Sequence, residues 1–250
     1  MKILLIVLCI LIASPAMCGL QFNGSNQEVN CGNITTLNSL SAITIMAWVW
    51  TEDSGAGGSP YGGIVAKGAG SSSGETWRMS WTGSTWTFVV RSGGSSANVN
   101  SVTNIEDGNW HLLVGTWDKS VNSGKCTVYT DLNKVISTTG ITTDLSNVTT
   151  PVQIARYNYA NRHFAGKIFD VRAYNRALSL AEIQTLYHSR GSDNIVNGLV
   201  GRWLMNEKSD GSTATVASSV IDISGNGNDG TPANSPIYVP APTKLIKRPR

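Results

Sequence analysis

With 250 residues and a formal net charge of +3, the chain is long enough for one substantial domain and short for two of ordinary size. Charged residues make up only 14% of it, against about 25% in an ordinary soluble domain; 26 glycines and abundant Ser, Thr and Asn take their place, a profile of many short strands joined by turns. Without Lys2 and the four basic residues in the last seven positions, the body carries 14 basic against 16 acidic residues, which excludes a basic face for nucleic acid.

Residues 1–19 stand apart. Met1-Lys2 gives a positive start, Ile3 to Ala13 is apolar throughout, and Ser14 to Gly19 offers small residues for cleavage. The run is too short to span a bilayer and reads as a secretory signal peptide, so the mature chain, expected to be secreted and extracellular, carries no transmembrane segment. Cleavage after Ala16 or after Cys18 is workable.

Strand patterns follow in order. Ile43 to Trp50 is apolar on both faces, as a central sandwich strand requires. Trp77–Trp81 and Trp86–Arg91 form a pair joined by Thr82-Gly83-Ser84. Trp110–Trp117, Cys126–Thr130, Lys134–Ser137, Val152–Ala155 and Gly166–Ala173 continue the series, with turn residues between them. One helix is expected near 179–189: Ser179-Leu-Ala-Glu182 is a capping box, Leu180, Ile183, Leu186 and Tyr187 make an apolar stripe, and Gly191 ends it. This helix is expected on one edge of the sandwich. Leu199–Met205 reads as a further strand, followed by the loop Asp222–Gly230. The stretch 232–250, with Pro232, Pro236, Pro240 and Pro242, reads as an extended, loosely held basic tail. The fold class is therefore all-β, a two-sheet antiparallel sandwich with one short helix.

Leu20-Gln-Phe-Asn-Gly-Ser25, Ile43 to Val49, Asp107-Gly-Asn-Trp110-His-Leu, Gly115-Thr-Trp117-Asp118, Asp170 to Ser179 and the helix Ala181–Tyr187 occur in this order. Together they resemble the laminin-G-like jelly-roll domain of the concanavalin A-like lectin/glucanase superfamily, over about residues 20–190. The segment Gly198–Gly230 resembles a stretch that in the family lies before the Phe-Asn-Gly strand, so the domain is expected over 20–231. In one reading the segment completes the sandwich from the other terminus; in the other it begins a truncated repeat. The resemblance implies a sandwich with a concave face, often with calcium at its rim, that binds glycans or proteins. Asn23 and Asp170 are the metal candidates it suggests. The Asp222–Asp229 loop, with Asn226 and Asn228, is a further candidate, for which turn capping is the leading explanation.

The sequence speaks against catalysis. A retaining glycoside hydrolase needs two carboxylates about 5–5.5 Å apart, and no Glu-x-Asp-x-Glu alternation is present. His111, His163 and His188 accompany no Gly-x-Ser-x-Gly elbow and show no zinc spacing. A glycan site needs aromatic faces beside convergent polar groups. Trp77, Trp81 and Trp86, with Arg91, Tyr157, Tyr159 and Arg162, are the candidates, whereas Trp48, Trp110, Trp117 and Trp203 read as core. The expected function is that of a secreted, non-catalytic lectin-like module whose partner is a glycan or a cell-surface or matrix protein. A virion or surface-layer decoration protein is the alternative, and a hydrolase comes third. Exposure of Trp77, Trp81 and Trp86 favours sugar; burial favours the alternative.

Overall fold

Strand β3 (Ala42–Trp50) alternates between two buried environments: Ile43, Ile45, Ala47 and Val49 join one apolar cluster, Met46 and Trp48 a second. A strand buried on both faces needs a partner sheet on one side and a cover on the other. The computed structural model, which describes residues 18–51, 62–68, 74–83, 85–157, 162–216 and 219–240, supplies both.

The described residues form a sandwich of two antiparallel sheets, of eight and nine strands. Sheet A runs in the order β10 (Asn133–Gly140), β9 (Lys125–Thr130), β8 (Trp110–Asp118), β3, β14 (Ala165–Tyr174), β1 (Cys18–Asn23) and β17 (Ile237–Pro240). β15 (Leu199–Trp203) also pairs with β14. Sheet B runs β16 (Thr231–Ala233), β2 (Glu28–Asn30), β11 (Val152–Ile154), β4 (Gly62–Gly68), β5 (Glu75–Trp81), β6 (Trp86–Ser92) and β7 (Ser95–Asn100). The short strands β12 (Arg156–Tyr157) and β13 (Arg162–His163) form a hairpin attached to β4, where His163 makes a parallel bridge to Gly63. The layers and pairing are those of a jelly roll.

The first apolar cluster fills the space between the sheets. The second lies on the outward face of sheet A, where Met46, Trp48, Leu112, Val114 and Phe169 meet Ile183 and Leu186 of helix α1 (Leu180–Ser189). The helix thus covers a sheet face and does not sit at an edge as the sequence suggested, because β3 and β8 present bulky apolar side chains outward. Ser179 and Glu182 close the capping box, and Arg190 takes the left-handed C-cap conformation just before Gly191.

β14 changes partners along its length. Ala165–Ile168 pairs with β1, and Val171–Tyr174 pairs with β15 on the same edge. Between them Asp170 has φ 45° and the register against β3 shifts, a bulge that resets the alternation of side chains. The segment after the helix thus contributes a strand to sheet A.

The chain end differs from the expectation of a loose tail from residue 232. Pro232 lies in β16 and Pro240 in β17, each on the edge of its sheet, where a missing N–H costs no ladder bond. Tyr238 is fully buried and its hydroxyl donates to the Ser219 carbonyl at 2.6 Å. At the other end β1 begins at Cys18, inside the segment assigned to the leader. Cys31 and Cys126 are buried and unpaired.

Candidate binding site

Trp77, Trp81 and Trp86 do not form a ligand surface. All three side chains belong to the cluster between the sheets, and none is more than 4% exposed. Trp77 stands beside Val90, and Val90 beside Ala97, in one inward row; Trp81 faces Trp86 in another. Alternation correctly puts Trp77 and Trp81 on one face, and that face is the interior, where burial of so much apolar surface favours them.

The opposite face of the same strands carries polar groups. Arg78, Val89 and Asn98 lie side by side in register on the outward face of sheet B. The Arg78 Nη1 donates to both oxygens of Glu75, at 2.7 and 2.6 Å, and the Arg91 Nε donates to Glu75 Oε2. Glu75 is fully buried, while the two arginine side chains are 18% and 19% exposed. One buried carboxylate is thus clamped between two guanidinium groups, a charge-assisted arrangement that fixes all three.

The β12–β13 hairpin completes the wall. At Ala155 (φ 62°) the chain leaves the β11 ladder and turns across β4. Gly63 makes this possible: a Cβ there would lie 2.3 Å from Arg156 C and Tyr157 N. The hairpin places the Tyr157 ring under Arg78, with the guanidinium carbon 4.8 Å from the ring centroid, and the Tyr157 hydroxyl accepts from Arg78 Nη1 at 3.2 Å. Burial and the Glu75 charge push the Tyr157 phenol up, against the opposing pull of Arg78, Arg91 and Arg162. Arg162 pairs with Tyr157 across the hairpin. Beside it, Arg156 Nη1 donates to both oxygens of Glu28, and the His163 ring lies 3.3 Å from Glu28 Oε2.

Of the seven ligand candidates, Arg91, Tyr157 and Arg162 therefore converge, the three tryptophans do not, and Tyr159 lies outside the described residues. Arg78 and Glu75 are the members that sequence reasoning missed. A signal existed: Arg78 lies between Trp77 and Met79, on the face opposite to theirs.

Neither metal candidate fits calcium. Both Asp170 oxygens accept hydrogen bonds from Arg172 and Arg202, so its charge is already compensated. The Asn23 Oδ1 accepts the backbone N–H groups of Ser25, Asn26 and Gln27, closing a turn. Asn23 faces Ala165 across the ladder, five residues from Asp170 and about 15 Å along β14, too far for one ion to reach both. The 222–230 loop is a fastening. Asp222 accepts from the N–H groups of Arg202, Ser224 and Asn228, and the Asn226 and Asn228 amides donate to carbonyls of β15. No group of three His, Cys, Asp or Glu side chains suited to a metal occurs among the described residues. The buried carboxylates of Glu75, Asp170 and Asp222 have their oxygens engaged by guanidinium or backbone N–H groups, which is structural use of an acid.

This architecture defines a class before any particular member. The chain matches the laminin G-like model of the concanavalin A-like lectin/glucanases superfamily over residues 23–184, and it belongs to that family. No curated protein matches the sequence. Among solved structures, a Bacteroides ovatus protein to which carbohydrate binding has been ascribed aligns over 91% of this chain with 15% identity and a TM-score of 0.64; the chain spans 60% of that protein's length. A heptameric pentraxin from Limulus polyphemus aligns over 70% of this chain and 83% of its own, with 14% identity and a TM-score of 0.50. Domains LG4–5 of the mouse laminin alpha1 chain align over 65% of this chain and 46% of their own, with 16% identity and a TM-score of 0.48.

Proposed function

We propose that the chain is a secreted, non-catalytic module that binds carbohydrate at a cell surface or matrix through the outward face of sheet B. The observation that carries this reading is the cluster of Tyr157, Arg78, Arg91 and Glu75. Two partly exposed guanidinium groups, with the buried Tyr157 ring backing Arg78, converge on a sheet face, held by a clamp that needs no ligand to form. Preorganised polar donors favour sugar recognition, since their ordering costs are met during folding. Family membership and the Bacteroides ovatus neighbour support it.

Burial of Trp77, Trp81 and Trp86 favours a second reading, a structural or decoration protein with a protein partner, because it removes the broadest aromatic platform. A glycan array probed with the protein separates the two. Selective binding that is lost in Tyr157→Ala, in a sample whose melting curve remains cooperative, supports the carbohydrate reading. A folded protein silent across the array sinks it and leaves the protein partner.

A further inference from the structure

The two arginines of this cluster are only partly used. Arg78 commits Nη1 to Glu75 and Tyr157, while its Nε and Nη2 make no hydrogen bond with the described residues. Arg91 commits Nε to Glu75, and neither of its η-nitrogens has a partner among them. A guanidinium carries five N–H donors in a rigid plane, so the pair presents several oriented donors. Two cations share one carboxylate, which leaves an excess positive charge at side chains about four-fifths buried. Charge in such a position is poorly hydrated and gains more from an anion than a surface lysine would.

We propose that the ligand is an acidic glycan, a sugar chain whose carboxylate or sulfate oxygens accept from the unengaged nitrogens of Arg78 and Arg91. The assignment rests on the carbohydrate reading above and narrows it to one chemical class. Glu75 acts as the positioning residue: it holds both guanidinium planes without neutralising both charges. The Tyr157 ring beneath Arg78 supports the same plane from the other side. A neutral sugar would leave the excess charge uncompensated. Planar carboxylate and tetrahedral sulfate can both take two donors from one guanidinium.

The test titrates the full chain with three oligosaccharides of matched length: oligogalacturonate, sulfated dextran and unmodified dextran. Each is run at two salt concentrations. Arg91→Gln removes a fork while leaving Glu75 paired with Arg78, Arg91→Lys keeps the charge but loses the fork, and Lys134→Gln removes an exposed cation on sheet A as the control. The expected result is acidic binding at least tenfold tighter than neutral. Arg91→Gln should weaken it about tenfold or more, Arg91→Lys should fall between, and Lys134→Gln should match the parent. Preference for uronate over sulfate, or the reverse, identifies the acid. Equal binding of acidic and neutral chains, or equal effects of Arg91→Gln and Lys134→Gln, overturns the acidic class and leaves the carbohydrate reading standing. Silence toward all three, together with a silent array, overturns both.

Discussion

Asp170 and Arg172 stand two residues apart in β14 and are joined by two hydrogen bonds, Nε to Oδ1 at 2.9 Å and Nη2 to Oδ2 at 2.6 Å. The other side of the same guanidinium donates to Asp193 at 2.7 and 2.8 Å, while Arg202 of β15 donates to Asp170. Two arginines and two aspartates thus balance in charge and tie β14, β15 and the segment after the helix together. Hydrogen bonds and charges from Asp193 and Asp170 overcome the effect of burial and hold the Arg172 pKa above its usual value, and Asp193 is held well below the usual carboxylate range. Asp170→Asn keeps a residue that tolerates φ 45° but removes one of the two negative charges. Breaking a buried pair this way costs about 3–5 kcal/mol. Urea unfolding should show that loss equally in calcium and in chelator, since Asp170 serves arginines and not a metal; a loss confined to calcium-containing buffer would restore the metal assignment.

His111 supplies a pH dependence. Its Nδ1 lies 2.9 Å from Asp131 Oδ2 and its Nε2 lies 3.0 Å from Asp107 Oδ1, so only the imidazolium can donate to both. Burial alone would lower its pKa, but the hydrogen bonds and charges of Asp131 and Asp107 outweigh that and raise it above 6.5. Burial pushes the phenol of Tyr187, on the helix, up, and the nearby Asp131 charge adds to it. A raised native pKa gives stability that is complete below the unfolded value of about 6.5 and lost as pH rises through the native value. Melting temperatures between pH 6 and 9 should therefore fall more steeply for the parent than for His111→Gln. Parallel slopes would show that His111 does not carry the dependence.

Much of this was legible in the sequence, and the failures have physical causes. Alternation gave β3, β5, β6, β8 and β9, because each buries at least one face. It placed Trp77 and Trp81 together but could not say which face of β5 looks inward, since period two fixes relative facing only. β7 and β17 escaped for another reason: Ser95–Asn100 is polar and Ile237–Pro240 ends in proline, both of which edge strands tolerate. The site depends on the β12–β13 hairpin crossing Gly63, a contact 93 residues apart for Arg156, which no local pattern announces.

The tryptophans can be separated by their indole nitrogens. Trp86 Nε1 donates to Thr130 Oγ1 at 2.8 Å, whereas the buried Nε1 of Trp77 has no partner among the described residues. Replacing either by Ala should cost about 3–5 kcal/mol through lost burial and the cavity left behind. Replacement by Phe should split them. Trp86→Phe loses a satisfied bond, while Trp77→Phe removes an unsatisfied donor, so Trp86→Phe should be worse by about 1 kcal/mol. Denaturant midpoints decide it, and the opposite order would mean that the Trp77 nitrogen has a partner, such as an ordered water.

Gly63 links stability to recognition. Because a methyl group there would sit 2.3 Å from the Arg156 and Tyr157 backbone, Gly63→Ala must push the hairpin off β4. Overpacking of this kind costs about 1–3 kcal/mol; the β11 ladder lies apart at Val65–Lys67, and the β5 ladder, which includes Gly63, is held by pairs from Gly62 to Gly68, so both should persist. Tyr157 would then move from beneath Arg78. Tyr157→Phe makes the sharper comparison: it keeps the ring 4.8 Å from the guanidinium and removes only the hydroxyl that accepts from Arg78. If the hairpin's role is to seat that ring, glycan affinity should drop several-fold in Gly63→Ala and change little in Tyr157→Phe. A large loss in Tyr157→Phe would instead assign the work to the hydroxyl, because the hairpin and its ring are intact in that variant.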